Sequence, residues 1–222
     1  MKNIPLLFLL LLLSTNDILS QNLIVDKNSI NQYDHDNYVY FNSYNFDGDF
    51  QGNHINNPPL PDPTDRINLP ETFPILGNQF TIELWVYSEE STLMNNRTFI
   101  GNDANPANND FNRPPMITFN LTHQIGVGFG TGSAGMRKKA NYAMTDDQWY
   151  HIAWSFDGTI SNLYVDGELI ESSDFAAGAI PVQVPISIIG RKFIGKIDEV
   201  RIWDLVRDQE QIQAVMNSSL SG

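Results

Sequence analysis

The chain has 222 residues, and its 26 acidic residues against 13 Lys and Arg give a formal net charge of −13. Nucleic acids and anionic membrane surfaces are therefore excluded as expected partners, because both repel an acidic surface. The absence of cysteine excludes disulfides and catalytic thiols, so stability must come from packing, with a bound metal ion as the other available source.

The amino-terminal residues have the pattern of a secretory signal peptide. Lys2 precedes an almost uninterrupted run of Leu from Leu6 to Leu13, and polar residues follow as far as Ser20. This run is well short of the about 20 residues that a spanning helix needs, so we interpret residues 1–20 as a signal peptide and not as a membrane anchor. No later segment has an apolar run long enough to span a bilayer. We therefore expect a secreted protein, located outside the cell, at the cell surface or in the periplasm.

The first structured element is predicted to begin after an irregular stretch. Residues 21–37 are rich in Asn and Asp without periodicity, which predicts an exposed leader. A first strand is expected over residues 38–46, ending at Phe46-Asp47-Gly48. Residues 49–64, rich in Pro and Asn, are then interpreted as an inserted loop. We place the folded domain at residues 38–217, with a tail at 218–222.

The middle of the chain alternates strands with irregular segments. Residues 79–90 carry large side chains on both faces, which predicts a central strand. A short strand at 99–100 leads into a second insertion, 101–115, and strands at 116–121 and 124–129 follow. Residues 130–144 are interpreted as a third loop. It holds the basic cluster Arg137, Lys138 and Lys139, which we expect to be a solvated face, with contact to an acidic ligand or partner as the alternative.

Residues 149–170 predict an antiparallel meander. Apolar side chains alternate along two successive runs, and each run ends at an Asp-Gly pair, 157–158 and 166–167. Asp and Gly tolerate the positive φ that tight hairpin turns demand. The residues expected to point inward are Tyr150, Ile152, Trp154 and Phe156 on the first run and Leu163 and Val165 on the second.

The carboxyl-terminal part predicts two strands and a helix. The strands are expected at residues 185–190 and 193–203. In the following segment Asp208 and Gln211 have the spacing of a capping box. Ile212, Val215 and Met216 form an apolar stripe at helical spacing, so this short helix is expected to pack against the rest of the domain.

Two motifs of the chain resemble a known superfamily. W-Y-H-I-A-W-S-F-D-G through L-Y-V-D-G, at residues 149–167, and G-K-I-D-E-V-R-I-W, at 195–203, resemble the laminin-G-like, or concanavalin-A-like, lectin/glucanase superfamily. The resemblance covers roughly residues 38–217 and implies an all-β, two-sheet antiparallel β-sandwich of the jelly-roll kind, with one short C-terminal helix added. Because such domains include lectins, adhesive modules and glycoside hydrolases, the fold alone does not decide function.

The resemblance also implies roles for single residues. It places Trp85 in the body of the sandwich, with a sugar-stacking platform as the alternative for this residue, and makes His151 a structural residue of its strand. Relatives often hold calcium where the first F-D-G turn meets the closing I-D-E strand, which implies Asp47, the Gly48 carbonyl and Asp198 as ligands. The alternative is that Asp47 caps its turn and Asp198 pairs with Arg201 or a backbone amide.

The sequence assigns no catalytic residues. Hydrolytic relatives often carry an E-x-D-x-(x)-E strand, from which this chain departs, with Lys196 two residues before Asp198. Asp198 and Glu199 are adjacent, so alternation predicts that they point to opposite faces and cannot act as a carboxylate pair. No G-x-S-x-G occurs, and none of the four His residues has a partner at metal-ligand spacing. Enzyme activity is left open, with O-glycosyl hydrolysis as the form it would take.

The three insertions supply candidate ligand-binding residues, because aromatic rings stack on sugars and planar polar side chains bind their hydroxyl groups. The candidates are Phe50, His54, Asn57, Asn102, Asp103, Asn109, Phe111, Arg113 and Arg137. The same composition also suits plain solvated connections. We expect a non-catalytic carbohydrate-binding or adhesive lectin-like module whose partner is a glycan or polysaccharide. The alternatives are a divergent glycoside hydrolase and a structural module that binds a cell-surface protein; the sequence does not set the oligomeric state.

Overall fold

The computed structural model describes residues 66–69, 75–89, 97–102, 110–120 and 122–218, together with the backbone of residues 23–24 and 44–46. In chain order the described strands are β1 (Leu23–Ile24), β2 (Tyr44–Phe46), β3 (Ile67–Asn68), β4 (Phe80–Ser88), β5 (Arg97–Gly101), β6 (Met116–Phe119), β7 (Gln124–Gly130), β8 (Gly135–Ala143), β9 (Trp149–Phe156), β10 (Ser161–Val165), β11 (Glu168–Ser173), β12 (Ile188–Arg191) and β13 (Gly195–Trp203). Among the described residues, one helix, α1, covers Gln209–Val215, and one 3-10 turn covers Asp110–Asn112.

The strands form two antiparallel sheets. The first has the order β1-β13-β4-β9-β10-β11, with β2 also paired to β13. The second has the order β3-β12-β5-β6-β7-β8. This arrangement confirms the predicted jelly-roll β-sandwich. β1 lies in the stretch predicted to be an exposed leader, and its two residues pair with Arg201 and Ile202 of β13.

Aromatic side chains join the two sheets at the centre of the core. The ring of Phe80 on β4 meets Trp154 on β9 edge-on, with 4.9 Å between centroids. Phe129, on β7 of the second sheet, lies 6.5 Å from Phe80 and 6.4 Å from Trp154. Such pairs contribute about 0.5–1.5 kcal/mol each beyond the area that they bury. The prediction that residues 79–90 form a central strand is confirmed, because β4 lies between β13 and β9, and Phe80, Ile82, Leu84 and Val86 on its inward face are all fully buried.

The meander β9-β10-β11 is confirmed, with its predicted inward residues buried. Asp166 and Gly167 have φ of +51° and +77° at the second turn, as a tight hairpin of this hand requires. The Asp166 carboxylate also accepts a hydrogen bond of 2.8 Å from the His151 backbone N–H. This bond explains why Asp is suited to that position of the turn.

The prediction of a loop at residues 130–144 is wrong, because residues 135–143 form the edge strand β8. Its side chains alternate between exposed and half-buried, with Ala140 as its only buried residue. Arg137 and Lys139 pair opposite Gly128 and Gly126 of β7. Three consecutive basic residues interrupt the apolar alternation of Met136, Ala140 and Tyr142, and the partner strand supplies glycines, so the strand was not recognised from the sequence.

α1 begins and packs as expected. Asp208 accepts a hydrogen bond from the Gln211 backbone N–H, and the Gln211 side chain accepts one from the Asp208 N–H, which completes the capping box. Ile212 is fully buried, which places α1 against the outer face of the first sheet. The described helix is too short to cross a membrane.

Candidate functional site

The outer face of the first sheet points away from the core and carries polar and aromatic side chains. Glu83 and Trp85 alternate with the core residues of β4 and therefore lie on this face. α1 covers part of it, where Ile212 packs with Ala153 and Tyr164. Beyond the carboxyl end of α1 the face opens into a cleft.

This cleft has a volume of about 370 Å³ and is open to solvent. We call it the tryptophan cleft; its lining residues are Trp85, Trp149, Asp198, Glu199, Met216, Asn217 and Ser218. Strands β4, β9 and β13 contribute the first four residues, and the segment that follows α1 contributes the others. The volume falls within the range of small-molecule sites, about 300–1,000 Å³.

The two tryptophans of the cleft are held in different ways. The Trp85 indole N–H donates a hydrogen bond of 2.8 Å to the Met216 carbonyl, which ties β4 to the segment after α1. Trp149 is 39% exposed, and its ring lies 5.6 Å from that of Tyr87. The cleft therefore presents one fixed indole and one that is open to solvent. The prediction that Trp85 belongs to the core is wrong. Trp85 lies between the core residues Leu84 and Val86 on β4, so its side chain points to the outer face.

A β-bulge brings two carboxylates into the same cleft. The register of β13 against β4 shifts between Asp198 and Arg201, and Glu199 has a φ of +46°, which is unusual for a residue other than Gly. The Asp198 carboxylate accepts a hydrogen bond of 2.7 Å from the Glu199 backbone N–H. The prediction that Asp198 and Glu199 point to opposite faces is therefore wrong, because the extra residue interrupts the alternation.

A buried polar cluster lies behind the cleft, beneath α1. Glu83, His151, Arg201 and Trp203 are each at most 3% exposed. One Glu83 oxygen accepts a hydrogen bond of 2.6 Å from the Trp203 indole N–H, and the other lies 3.2 Å from the His151 Nε2. An Arg201 nitrogen lies 3.9 Å from Glu83. Charged groups at this depth require partners, and the cluster provides them in part: the Glu83 Oε2, both His151 ring nitrogens and the Arg201 Nε make no hydrogen bond with the described residues. His151 is buried on β9, in the strand where the resemblance placed it.

Arg201 connects the buried cluster to the wall of the cleft. Its guanidinium donates to the Val215 carbonyl at 2.8 Å, to the Ser218 carbonyl, and to Glu199 at 3.0 Å. The first two acceptors lie at and just beyond the carboxyl end of α1, where carbonyls lack helical partners. Arg201 therefore fixes both the cleft carboxylate and the segment that closes the cleft.

Four of the nine predicted ligand-binding residues come close together, away from the tryptophan cleft. Phe111 lies in the 3-10 turn, Arg113 follows it, and Asn102 contacts the Asn112 carbonyl at 3.4 Å. Arg137 reaches the same turn through Asp110. Phe50, His54, Asn57, Asp103 and Asn109 lie outside the described residues.

The predicted calcium ligands are described only in part. Asp47 and Gly48 lie outside the described residues. Asp198 uses one oxygen for the Glu199 N–H. β2, which precedes Asp47 and Gly48, pairs with β13, with Tyr44 opposite Ile197 and Phe46 opposite Gly195. In the described part of the chain, no three His, Asp or Glu side chains gather as a metal site.

Sequence reasoning missed Trp149, Glu199, Asn217 and Ser218 as cleft residues. For Trp149 a signal exists: the alternation that places Tyr150 in the core places Trp149 on the outer face. For Asn217 and Ser218 no local pattern does so, because their position depends on where α1 docks.

Comparison with known proteins gives a family and a set of similar folds. Residues 61–213 match the family model described as the concanavalin A-like lectin/glucanases superfamily. No curated protein sequence matches the chain. The CBM40 of the Ruminococcus gnavus IT-sialidase, bound to α2,3-sialyllactose, is similar at 15% identity, with a TM-score of 0.51 over 63% of this chain and 83% of that one.

Two further structures are similar at comparable levels. The binding domain of botulinum neurotoxin serotype D has a TM-score of 0.51 at 12% identity, over 68% of this chain and 38% of that one. Domain 4 of an extracellular arabinanase from Geobacillus stearothermophilus, in complex with arabinotriose, has a TM-score of 0.49 at 22% identity, over 67% and 71% of the two chains. Since the family model spans more than half of its length, the chain belongs to the concanavalin A-like lectin/glucanase superfamily.

Proposed function

We propose that the protein is a secreted, non-catalytic carbohydrate-binding module that holds a glycan in the tryptophan cleft. The observation that carries this proposal is the cleft itself. It combines a solvent-exposed indole, a second indole and three planar polar side chains, Asp198, Glu199 and Asn217, in one open space.

This combination suits the two surfaces of a sugar ring. The apolar C–H face of a pyranose packs on an aromatic face. Trp149 already exposes such a face to solvent. Carboxylate and amide groups accept and donate the hydrogen bonds that sugar hydroxyls lose on leaving water. Their fixed positions lower the entropic cost of binding, since Asp198 and Glu199 are held by the backbone and by Arg201.

A sandwich of the same fold supports the proposal, since the sialidase CBM40 was solved with α2,3-sialyllactose bound. Export is supported by the leucine-rich run that begins at Leu6. A bound glycan also suits a protein that works outside the cell, where polysaccharides are exposed.

Glycoside hydrolysis is the second candidate, because Asp198 and Glu199 face one cleft. Both carboxylates, however, already have structural partners, the Glu199 N–H and Arg201 respectively. We therefore favour binding. Release of reducing sugar from a polysaccharide panel by the wild type, lost in Glu199→Gln, would establish the hydrolase instead.

A glycan array tests the binding proposal. We expect the wild type to bind at least one glycan class, and Trp149→Ala to lower that binding by about tenfold or more, because a fully engaged aromatic contact is worth well over 1 kcal/mol. Leu169→Ala is the matched control, since Leu169 is a 46% exposed apolar residue of the same sheet outside the cleft. A blank array with correctly folded wild type, or equal losses in both variants, would contradict the proposal.

A further inference from the structure

The backbone of Trp149 is fixed at the point where β9 begins. Trp149 pairs opposite Tyr87 of the neighbouring strand β4. Just before it, the Asp147 N–H donates a hydrogen bond of 2.8 Å to the Ser88 carbonyl, and the Ser88 hydroxyl donates one of 2.7 Å to the Asp146 carboxylate. The freedom that Trp149 keeps is therefore mainly the rotation of its side chain.

The Tyr87 ring limits that rotation. Trp149 is 39% exposed, and an exposed side chain samples the three staggered wells of χ1 when no neighbour selects one of them. The Tyr87 ring lies beside the indole, with 5.6 Å between centroids and 55° between the ring planes. An aromatic pair at this separation favours one orientation by about fivefold. Tyr87 therefore restricts the rotamers of Trp149 in the absence of a ligand.

Tyr87 is itself held from its other side. Lys196 pairs opposite Tyr87 on β13, and its ammonium lies over the Tyr87 ring, 4.8 Å from the centroid. This is within the range of a cation–π contact. The Glu89 carboxylate contacts the same ammonium at 3.1 Å. This partly exposed ion pair adds little stability of its own, but it keeps the ammonium over the ring. Tyr87 thus lies between a cation on one side and Trp149 on the other.

These contacts stand behind one border of the tryptophan cleft. Tyr87 follows Trp85 at a spacing of two on β4, and both are less buried than the core residues that alternate with them, so both lie on the outer face. Trp149 lines the cleft and Tyr87 does not. The cleft is thus bordered by Trp149 on β9 and by residues 216–218 after α1. Trp85 and Arg201 hold the second border.

We propose that Tyr87 is a positioning residue of the tryptophan cleft, which holds the Trp149 indole in one orientation before a glycan binds. The inference rests on the proposed function, because Tyr87 acts on the ligand only through Trp149. A ring that is already oriented loses less conformational entropy when a sugar packs on it, so the cleft gains affinity without a further contact. A fixed ring also restricts which sugar shapes pack against it, and Tyr87 thereby contributes to specificity.

NMR relaxation of the indole N–H groups tests the orientation without any glycan. We expect an order parameter for Trp149 near about 0.85, the rigid value, in the wild type, and below about 0.6 in Tyr87→Ala. Tyr87→Phe, which keeps the ring, should match the wild type. The buried Trp154 and Trp203 should stay rigid throughout, which shows that the variants are folded. A mobile Trp149 in the wild type, or an equally rigid Trp149 in Tyr87→Ala, would overturn the proposal.

The glycan array, repeated at several protein concentrations, measures the effect on binding. Tyr87→Ala should lower the affinity for the glycans that bind by about fivefold, and Tyr87→Phe should change it by less than about twofold. In the Trp149→Ala background, Tyr87→Ala should have no further effect, because the two residues act as a unit. The same loss in both backgrounds would overturn the proposal and leave the cleft as the binding site. A blank array contradicts the proposed function instead, and the relaxation data then still decide whether Tyr87 orients Trp149.

Discussion

Glu83 lies fully buried on the outer face of the first sheet, between His151 and Arg201. In the sequence, Glu83 is the only charged residue of its strand, and nothing near it indicates a role. Its partners lie on β9 and β13, distant along the chain. Its position shows how a charged residue of a central strand is tolerated: a histidine, an arginine and an indole N–H converge on one carboxylate.

Replacement of Glu83 should therefore be costly. Glu83→Ala leaves the Trp203 indole N–H without its acceptor and Arg201 without a buried counter-charge, and we expect unfolding free energy to fall by about 3–5 kcal/mol. Denaturant unfolding measures this. Glu171→Ala, which removes the half-exposed partner of Lys138, should cost at most about 1 kcal/mol. Similar, small losses in both variants would show that the buried cluster does not stabilise the fold.

Asp198 and Glu199 show what strand periodicity could and could not predict. A uniform period of two places them on opposite faces, yet the β13 side chains that belong to the main hydrophobic core are Ile197, Val200 and Ile202. The step of three followed by a step of two is the signature of one extra residue. The bulge was thus readable from the sequence, whereas the docking of Asn217 and Ser218 beside it was not, because it depends on the Arg201 contacts to the end of α1.

Among the elements, the meander was predicted from the sequence, whereas β8 was not. β9 and β10 alternate large apolar residues and end at Asp-Gly turns, so both the strands and their inward faces followed from the sequence. β8 contains Arg137, Lys138 and Lys139 and pairs with a glycine-rich strand. Met136, Ala140 and Tyr142 of β8 do pack against the core, but Lys138 interrupts their alternation, which hid the strand in the sequence.

The 3-10 turn depends on close approach to β7, which a side chain at Gly130 would prevent. Gly130→Ala places a Cβ 2.1 Å from a backbone oxygen, so the turn must move, at a cost of about 1–3 kcal/mol. Thermal and denaturant unfolding measure the loss. Gly77→Ala is the control, since a Cβ there meets nothing within 4 Å and should change stability by less than about 0.5 kcal/mol. Equal stability of the two variants would contradict the described packing of the turn.

At the scale of the whole molecule, the sandwich presents two different surfaces. The outer face of the first sheet carries the tryptophan cleft, and the 3-10 turn on the second sheet brings Asp110, Arg113 and Arg137 together. A chain without cysteine stabilises both through packing and buried polar contacts. The superfamily and the sandwich followed from two sequence motifs. The positions of the cleft and of the 3-10 turn did not, because they depend on which loops and helix ends meet in the folded chain.

Calcium stabilisation stays a prediction, with Asp47, Gly48 and Asp198 as its ligands. If an ion binds the folded state at about 100 times its dissociation constant, it adds about 2.7 kcal/mol, or about 5–10 °C in melting temperature for a domain of this size. Thermal melts in calcium and in chelator measure the difference, and Asp198→Asn should reduce it. Identical melts of the wild type in calcium and in chelator would remove the calcium site.

The central claim is that a glycan occupies the tryptophan cleft, and indole N–H signals in a ¹H–¹⁵N NMR spectrum test it most directly. The chain has four tryptophans. Trp85 and Trp149 line the cleft, whereas Trp154 and Trp203 are at most 3% exposed and donate to Ser161 and Glu83. On titration with a glycan that binds on the array, the Trp85 and Trp149 signals should shift and the other two should not. Binding that leaves the Trp85 and Trp149 signals unchanged would contradict the claim.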